Sequence, residues 1–231
     1  MALLVISVIA AVVLVKPADK DVNNTVTSTP IVSQEAAPAE ELRNLEYRNP
    51  VNKEATVHLV EYADFQCPFC ARLQPVVDEL KDYNDEFSVD VEFRHFPLES
   101  IHPNAMAGHR AAEAAGMQGK FYEMHDLLFE NQLEWTSAQT SEEASAIIRS
   151  KYATQLNLDI EQYRKDTNST PVDSAIRTQY SKGLSLGITG TPTIFYVANY
   201  GESDETLVKM QTPSNLEEFI QNINELNEQY L

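Results

Sequence analysis

The chain of 231 residues carries 17 Lys and Arg against 35 Asp and Glu, a formal net charge of −18. So acidic a balance argues against a nucleic-acid or anionic-membrane surface, since both need basic patches. The hydrophobic fraction of 43% and charged fraction of 23% are those of a globular protein, and the length suffices for one domain with an ample core.

MALLVISVIAAVVLV, residues 1–15, has Ser7 as its one polar residue. As a helix it spans ~22 Å, short of the ~30 Å hydrocarbon core of a bilayer. It fits the apolar part of a secretory signal, but no Lys or Arg precedes it and the nearest Ala-x-Ala, Ala37-Pro38-Ala39, lies far downstream. The expectation is an N-terminal membrane anchor or signal segment, more in keeping with an uncleaved anchor; a buried core helix is the alternative. Residues 16–44 are rich in Pro, Ala, Thr, Asn and acids without a period, and read as a flexible linker. Asn23-Asn24-Thr25 and Asn168-Ser169-Thr170 match a glycosylation pattern too short to carry weight.

Residues 45–231 read as the folded domain. ATVHLVEYADF, 55–65, is a nearly continuous apolar run, as in a strand covered on both faces. CPFCARLQPVVDELKDY, 67–83, places Phe69, Leu73, Val76, Val77 and Leu80 at helical spacing, with Pro68 suited to the first turn and Pro75 expected to kink the helix. FSVDVEFRHFP, 87–97, alternates Val89, Val91 and Phe93 as a second strand. A strand, a helix and a strand of these lengths form a βαβ unit with parallel strands. The pattern then turns helical from 103 to about 186. NAMAGHRAAEAAGMQG ends near Gly116 and Gly119, and KFYEMHDLLFENQ reads as one helix. SEEASAIIRSKYATQL is capped by Ser141 with an acidic first turn, and DIEQYRKDTNS and PVDSAIRTQYSKGLSLG follow. TPTIFYVANY and ETLVKM return as a hairpin around Gly201. PSNLEEFIQNINELNEQYL closes the chain as a helix capped by Ser214. The order is βαβ, a helical block, then ββα.

Cys67 and Cys70 in FQCPFC are the only cysteines. As a structural disulfide they would close a tiny loop worth only ~2 kcal/mol of chain entropy. As a zinc half-site they lack further Cys ligands, and His58, His95, His102, His109 and His125 show no ligand spacing. Two inert thiols at this spacing would be coincidence. The fourth reading is a redox dithiol at a strand-to-helix junction opening a βαβ unit, in keeping with an exported context. Cys67 would lie at the helix N-terminus, where free N–H groups and the helix dipole favour a thiolate, and would be the more exposed and more acidic thiol. Cys70, one turn inward, would be the buried one.

FQCPFC after HLVEYAD, then FRHFPL, HPNAMAGHRAAEAAGMQGKFYEMHDLLFENQ and GITGTPTIF, resemble the DsbA-like thiol–disulfide oxidoreductases. The resemblance covers about residues 45–231. It implies an α/β, thioredoxin-like fold with a helical insertion (about 101–186) between the βαβ and ββα halves. It also implies extracytoplasmic disulfide exchange and no cofactor beyond the Cys67–Cys70 pair. Thr191-Pro192 matches the family's cis-proline loop facing the dithiol, although an X-Pro bond is otherwise cis only ~5% of the time. There the extended Thr191 backbone could pair with a client peptide. Glu61 matches a buried acid beneath the site, whose burial would raise its pKa into proton-shuttling range; a half-exposed strand Glu is the alternative. Phe69 departs from the His that members often carry at this position. Pro68 stiffens the loop. His95, His102 and Trp135 read as structural, surface or groove residues.

The function expected is a protein disulfide oxidoreductase, a dithiol oxidase introducing disulfides into unfolded or partly folded exported proteins. It would be re-oxidised by a membrane redox partner and held in the periplasm or at the outer face of the cytoplasmic membrane. A reductase or isomerase, a client-binding chaperone without turnover, and a metal-binding protein are the alternatives.

Overall fold

The computed structural model describes residues 52, 54–83 and 87–230. The expected anchor (1–15) and the linker (16–44) lie outside the described residues. Among the described residues, no helix is long and apolar enough to cross a membrane.

β1 (Val57–Ala63) is buried along its whole length, which matches its unbroken apolar run. It leads through a short loop into α1 (Pro68–Asp82), and β2 (Val89–His95) follows. The strands are parallel neighbours, with Glu61 level with Phe93. The helical block comprises α2 (Ala105–Gly116), α3 (Phe121–Glu130), α4 (Gln132–Thr136), α5 (Ser141–Ile148), a π-helical turn (Arg149–Ala153), α6 (Ile160–Asp166) and α7 (Thr170–Ser185). β3 (Thr193–Ala198) and β4 (Thr206–Lys209) form an antiparallel hairpin, and α8 (Leu216–Tyr230) ends the domain. β3 runs antiparallel to β1, so the sheet order is β2-β1-β3-β4. β1 is therefore central, and its C-terminal end delivers the dithiol.

Period-two alternation splits the core across the sheet. Leu59, Val91, Ile194 and Tyr196 face Leu73, Val77 and Leu80 of α1 and Phe219 and Ile223 of α8. Val60, Tyr62, Phe195 and Val197 face Phe96 and Ile188, with Tyr180 of α7 beside them. Gly183 makes the close approach of α7 possible, since a Cβ there would lie 2.7 Å from the Phe96 ring. A third cluster joins Phe65 and Phe93 to the Ala-rich face of α2, to α3 and to Trp135. Trp135 is fully buried and donates its indole N–H to Leu128 O at 2.9 Å.

Several local expectations are corrected. The segment read as one helix from Lys120 breaks at Asn131 (φ −110°, ψ 26°) into α3 and α4. Thr140, not Ser141, caps α5, because it holds the extended backbone that lets its hydroxyl accept from Glu143 N. In α8 the side chain of Asn215, not Ser214, accepts from Glu218 N, while Ser214 donates back to the Glu218 carboxylate.

Candidate active site

The site is built where β1 ends. Asp64 Oδ1 accepts the Gln66 N–H at 2.8 Å and Asp64 O accepts the Cys67 N–H at 2.9 Å, a tight turn that sets up the helix. Cys67 is the N-cap residue of α1 (φ −70°, ψ 121°) and Pro68 takes the first helical position, where a missing N–H costs nothing. No side chain caps this end, so the first-turn N–H groups are open to a negative sulfur.

Both cysteines are free thiols. The expected contrast in exposure is small, with Cys67 3% exposed and Cys70 0%. Pro68 and Phe69 at the start of the helix are exposed, but Cys67 is covered where Gln132 holds its carbonyl, so position at an N-terminus does not by itself bring exposure of the sulfur. The contrast in acidity is large. Cys67 is lowered to about 5, first by the hydrogen bond from Cys70, against the opposing effect of burial. The Thr191 side chain and the Cys70 and Phe69 N–H groups add to that lowering. Cys70 is raised well above the ordinary thiol value, chiefly by burial and then by the neighbouring Cys67. One sulfur is thus held as a thiolate and the other as a thiol.

The Thr191–Pro192 bond is cis. Cys67 Sγ lies 3.5 Å from Thr191 O, 124 residues away in sequence. As a thiol, Cys67 donates to that carbonyl. The Thr191 hydroxyl is buried without a hydrogen-bond partner among the described residues, a donor available to the sulfur when Cys67 is a thiolate.

Glu61 is 2% exposed and projects from β1 toward α1. Its pKa is raised to about 7, by burial first, with Lys81 opposing and Asp78 reinforcing. Its charge also raises Cys70, and Oε1 has no hydrogen-bond partner among the described residues. Phe69 is 62% exposed, with the Arg72 guanidinium 4.3 Å above its ring.

The structure thus brings Cys67, Pro68, Phe69, Cys70, Thr191 and Pro192 together, with Glu61 beneath. It also adds residues that no local pattern marks. Gln132 Nε2 donates to Phe65 O at 2.8 Å and to Cys67 O at 2.9 Å. Asp64, fully buried, accepts from Leu98 N and His102 Nδ1, each at 2.8 Å. His109 Nε2 lies 3.5 Å from its other oxygen. Behind it His109 meets His95, and His95 meets Glu113, all fully buried. His95 is structural as expected, whereas His102 bonds an acid of the dithiol loop. The one sequence signal for Asp64 was a charged residue at the end of an apolar strand.

A sequence model of the thioredoxin family matches residues 52–222. Among solved structures, Wolbachia pipientis alpha-DsbA1 is 22% identical with a TM-score of 0.66, covering 78% of this chain and 90% of that one. A thioredoxin-like oxidoreductase from Silicibacter pomeroyi is 24% identical with a TM-score of 0.59, covering 79% and 95%. Both likenesses establish the fold. Among curated proteins, the Na(+)/H(+) antiporter NhaA 3 of Salinispora tropica is 39% identical over 144 residues, 62% of this chain and 20% of the antiporter. The chain thus spans about a fifth of that relative's length. The chain belongs to the thioredoxin family, with helices inserted between the two halves of its sheet.

Proposed function

We propose that the protein is an extracytoplasmic thiol–disulfide oxidoreductase working as a dithiol oxidase through Cys67 and Cys70. One observation carries the reading: two thiols a helical turn apart, one lowered to about 5 and its neighbour raised. Whatever stabilises the Cys67 thiolate stabilises the reduced pair and makes the disulfide a stronger oxidant, which favours oxidase over reductase. A client thiolate attacks the Cys67 sulfur, the Cys67–Cys70 bond breaks, and Cys70 leaves with its electron pair and takes a proton. Glu61, in its neutral form, is the donor suited to that proton. A second client thiolate attacks the client sulfur of the mixed disulfide and Cys67 leaves as the thiolate. The client is oxidised by two electrons and the pair is reduced.

The clients proposed are unfolded or partly folded exported proteins bearing thiols, laid along the Thr191 backbone. A membrane redox partner would take the two electrons. The apolar segment 1–15 supports attachment outside the cytoplasm. Antiport, named for the curated relatives, is not proposed for a chain that matches about a fifth of their length.

Equilibration against glutathione tests the direction. A pair as oxidising as the glutathione couple or more so fits the oxidase. A pair far more reducing, resistant to glutathione, would make the protein a reductase. Retention of client effects in a double Cys→Ser variant would replace both with a chaperone.

A further inference from the structure

Asp64, His109, His95 and Glu113 form a file of titratable side chains, all fully buried, that joins the end of β1 and the end of β2 to α2. His109 Nε2 lies 3.5 Å from Asp64 Oδ1, His109 Nδ1 lies 2.6 Å from His95 Nδ1, and His95 Nε2 lies 2.5 Å from Glu113 Oε1. The middle contact sets a rule. Two Nδ1 atoms at that distance hold one proton between them, because one must donate and the other accept. His95 and His109 are therefore never both imidazolium while the bond stands. The far end of the file chooses the direction. Asp64 accepts from Gln66 N, Leu98 N and His102 Nδ1, which favours its ionised form. That charge favours the His109 tautomer with its hydrogen on Nε2, which leaves His109 Nδ1 the acceptor and His95 Nδ1 the donor. A further proton is shared between His95 Nε2 and Glu113.

We propose that the His95–His109 contact is an acid-sensitive latch: it holds the first inserted helix, α2, on the end of β2 and parts when a second proton enters the pair. Two facing imidazolium rings in a buried site repel with little water to screen them. Aromatic rings surround the pair: His95 meets Phe65, Phe93 and Phe121, and His109 meets Phe65 and Phe93. The titratable groups about the pair come from several elements. Asp64 stands at the end of β1, Glu113 on α2, and His102 beyond Asp64 on the loop before α2. His125 of α3 meets the rings of Phe65, Phe93 and Phe121. Glu61 lies level with Phe93 on the neighbouring strand, and Cys67 and Cys70 line the same apolar cluster. From α7 comes the neutral Gln179, whose Oε1 accepts the His95 N–H at 2.7 Å. The file ends on the dithiol loop, since Asp64 O accepts the Cys67 N–H. Nothing in this latch depends on the exchange reading above.

With α2 lifted from β2 the two rings are solvated, and each can take its second proton near the ordinary imidazole value of about 6.5, with Glu113 ionised. In acid the closed form thus binds one proton fewer than the open form. It is favoured in full above that value and loses ground as pH falls below it, by up to about tenfold in the opening constant per pH unit. His125, lowered first by burial, adds in the same direction. His102, raised first by its Asp64 hydrogen bond, is charged in both forms in this range and adds nothing. Glu61, raised by burial to about 7, opposes wherever opening exposes it.

The test is hydrogen exchange of the α2 main-chain amides in the full chain between pH 7 and 5, corrected for the intrinsic rate of each amide. Opening of α2 in the parent should rise as pH falls, and more steeply than in His109→Gln by up to about tenfold per pH unit. Glutamine can still bond His95 but brings no second imidazole, and His102, His125 and Glu61 are common to both chains. Glu113→Gln leaves the imidazoles face to face and should be at least as steep as the parent. Equal slopes in the parent and His109→Gln, or a slope lost in Glu113→Gln, overturn the latch. The unaltered protein gives a second measurement that no folding defect can spoil. Nitrogen NMR of its imidazole rings at pH 5 should show at most one of His95 and His109 as imidazolium in the closed form. Two imidazolium rings in a chain whose α2 amides stay protected overturn the proposal.

Discussion

The side-chain amide of Gln132, at the start of α4, donates to the main-chain carbonyl of Cys67 at 2.9 Å. The same nitrogen holds Phe65 O at 2.8 Å, so one residue of the inserted block clamps both sides of the dithiol loop. α4 is itself tied down, because Glu134 is paired with Lys151 and accepts from Tyr152 Oη at 2.8 Å, both on the π-helical turn. The insertion therefore positions the chemistry as well as covering the sheet.

Gln132→Ala should cost about 1–3 kcal/mol, because it removes the donor and leaves buried carbonyl capacity unfilled. Denaturant unfolding measures that loss. A midpoint equal to the parent's would show that the clamp is dispensable.

Cys70→Ser should accumulate mixed disulfides with clients and Cys67→Ser should not, because the thiolate is Cys67 and Cys70 is held as a thiol. Non-reducing gels of cell extracts, with bands excised and identified, distinguish the two. The opposite pattern would reassign the nucleophile.

Glu61 has a folded pKa of about 7 against an ordinary 4.5. Between these values the native state binds more protons than the unfolded state, so stability falls as pH rises through this window. Glu61→Gln removes that penalty. The variant should gain on the order of 3 kcal/mol above pH 7 and little below pH 4.5, read from unfolding curves at several pH values. Its exchange with a dithiol should slow near pH 7, where the carboxyl would otherwise pass the proton to Cys70. Unchanged kinetics from pH 6 to 8 would return Glu61 to a structural role.

Thr191→Val keeps the shape and removes the hydroxyl that helps to lower Cys67. The Cys67 titration should move upward and the pair should become a weaker oxidant, each tenfold change in equilibrium constant corresponding to about 30 mV. A Cys67 pKa left at the parent value would mean that the hydroxyl does not reach the sulfur.

Phe69→His places a titratable cation one residue from the N-terminus of α1. It should lower the Cys67 pKa and raise the potential together, by up to about tenfold in equilibrium constant. Phe69→Ala should leave the potential in place and weaken client capture, since the exposed ring is then a contact surface. A potential unmoved in Phe69→His, with weaker client binding, would leave the ring only the second role.

The sequence by itself determined the order of elements, the parallel pair around α1, the dithiol at a helix start and the hairpin that follows Pro192. Those features are local: a continuous apolar run, a helical stripe and a Cys-x-x-Cys before it are read within a dozen residues. The caps at Thr140 and Asn215 and the break at Asn131 were missed by a residue or so, because neighbouring residues offer similar caps and packing chooses among them. The tertiary structure alone decided which distant groups meet the sulfurs. Thr191 reaches Cys67 across 124 positions, which only the family resemblance had led one to expect; Gln132 reaches Cys67 across 65 and His102 reaches Asp64 across 38, and neither was expected. None of these has a period or a spacing to betray it. The acidic Cys67 was legible from its place at a helix start, and the raised Glu61 followed only from the family resemblance; the ion pair of Asp64 and His102 was out of reach, because it exists only once the sheet and the inserted helices have closed over it.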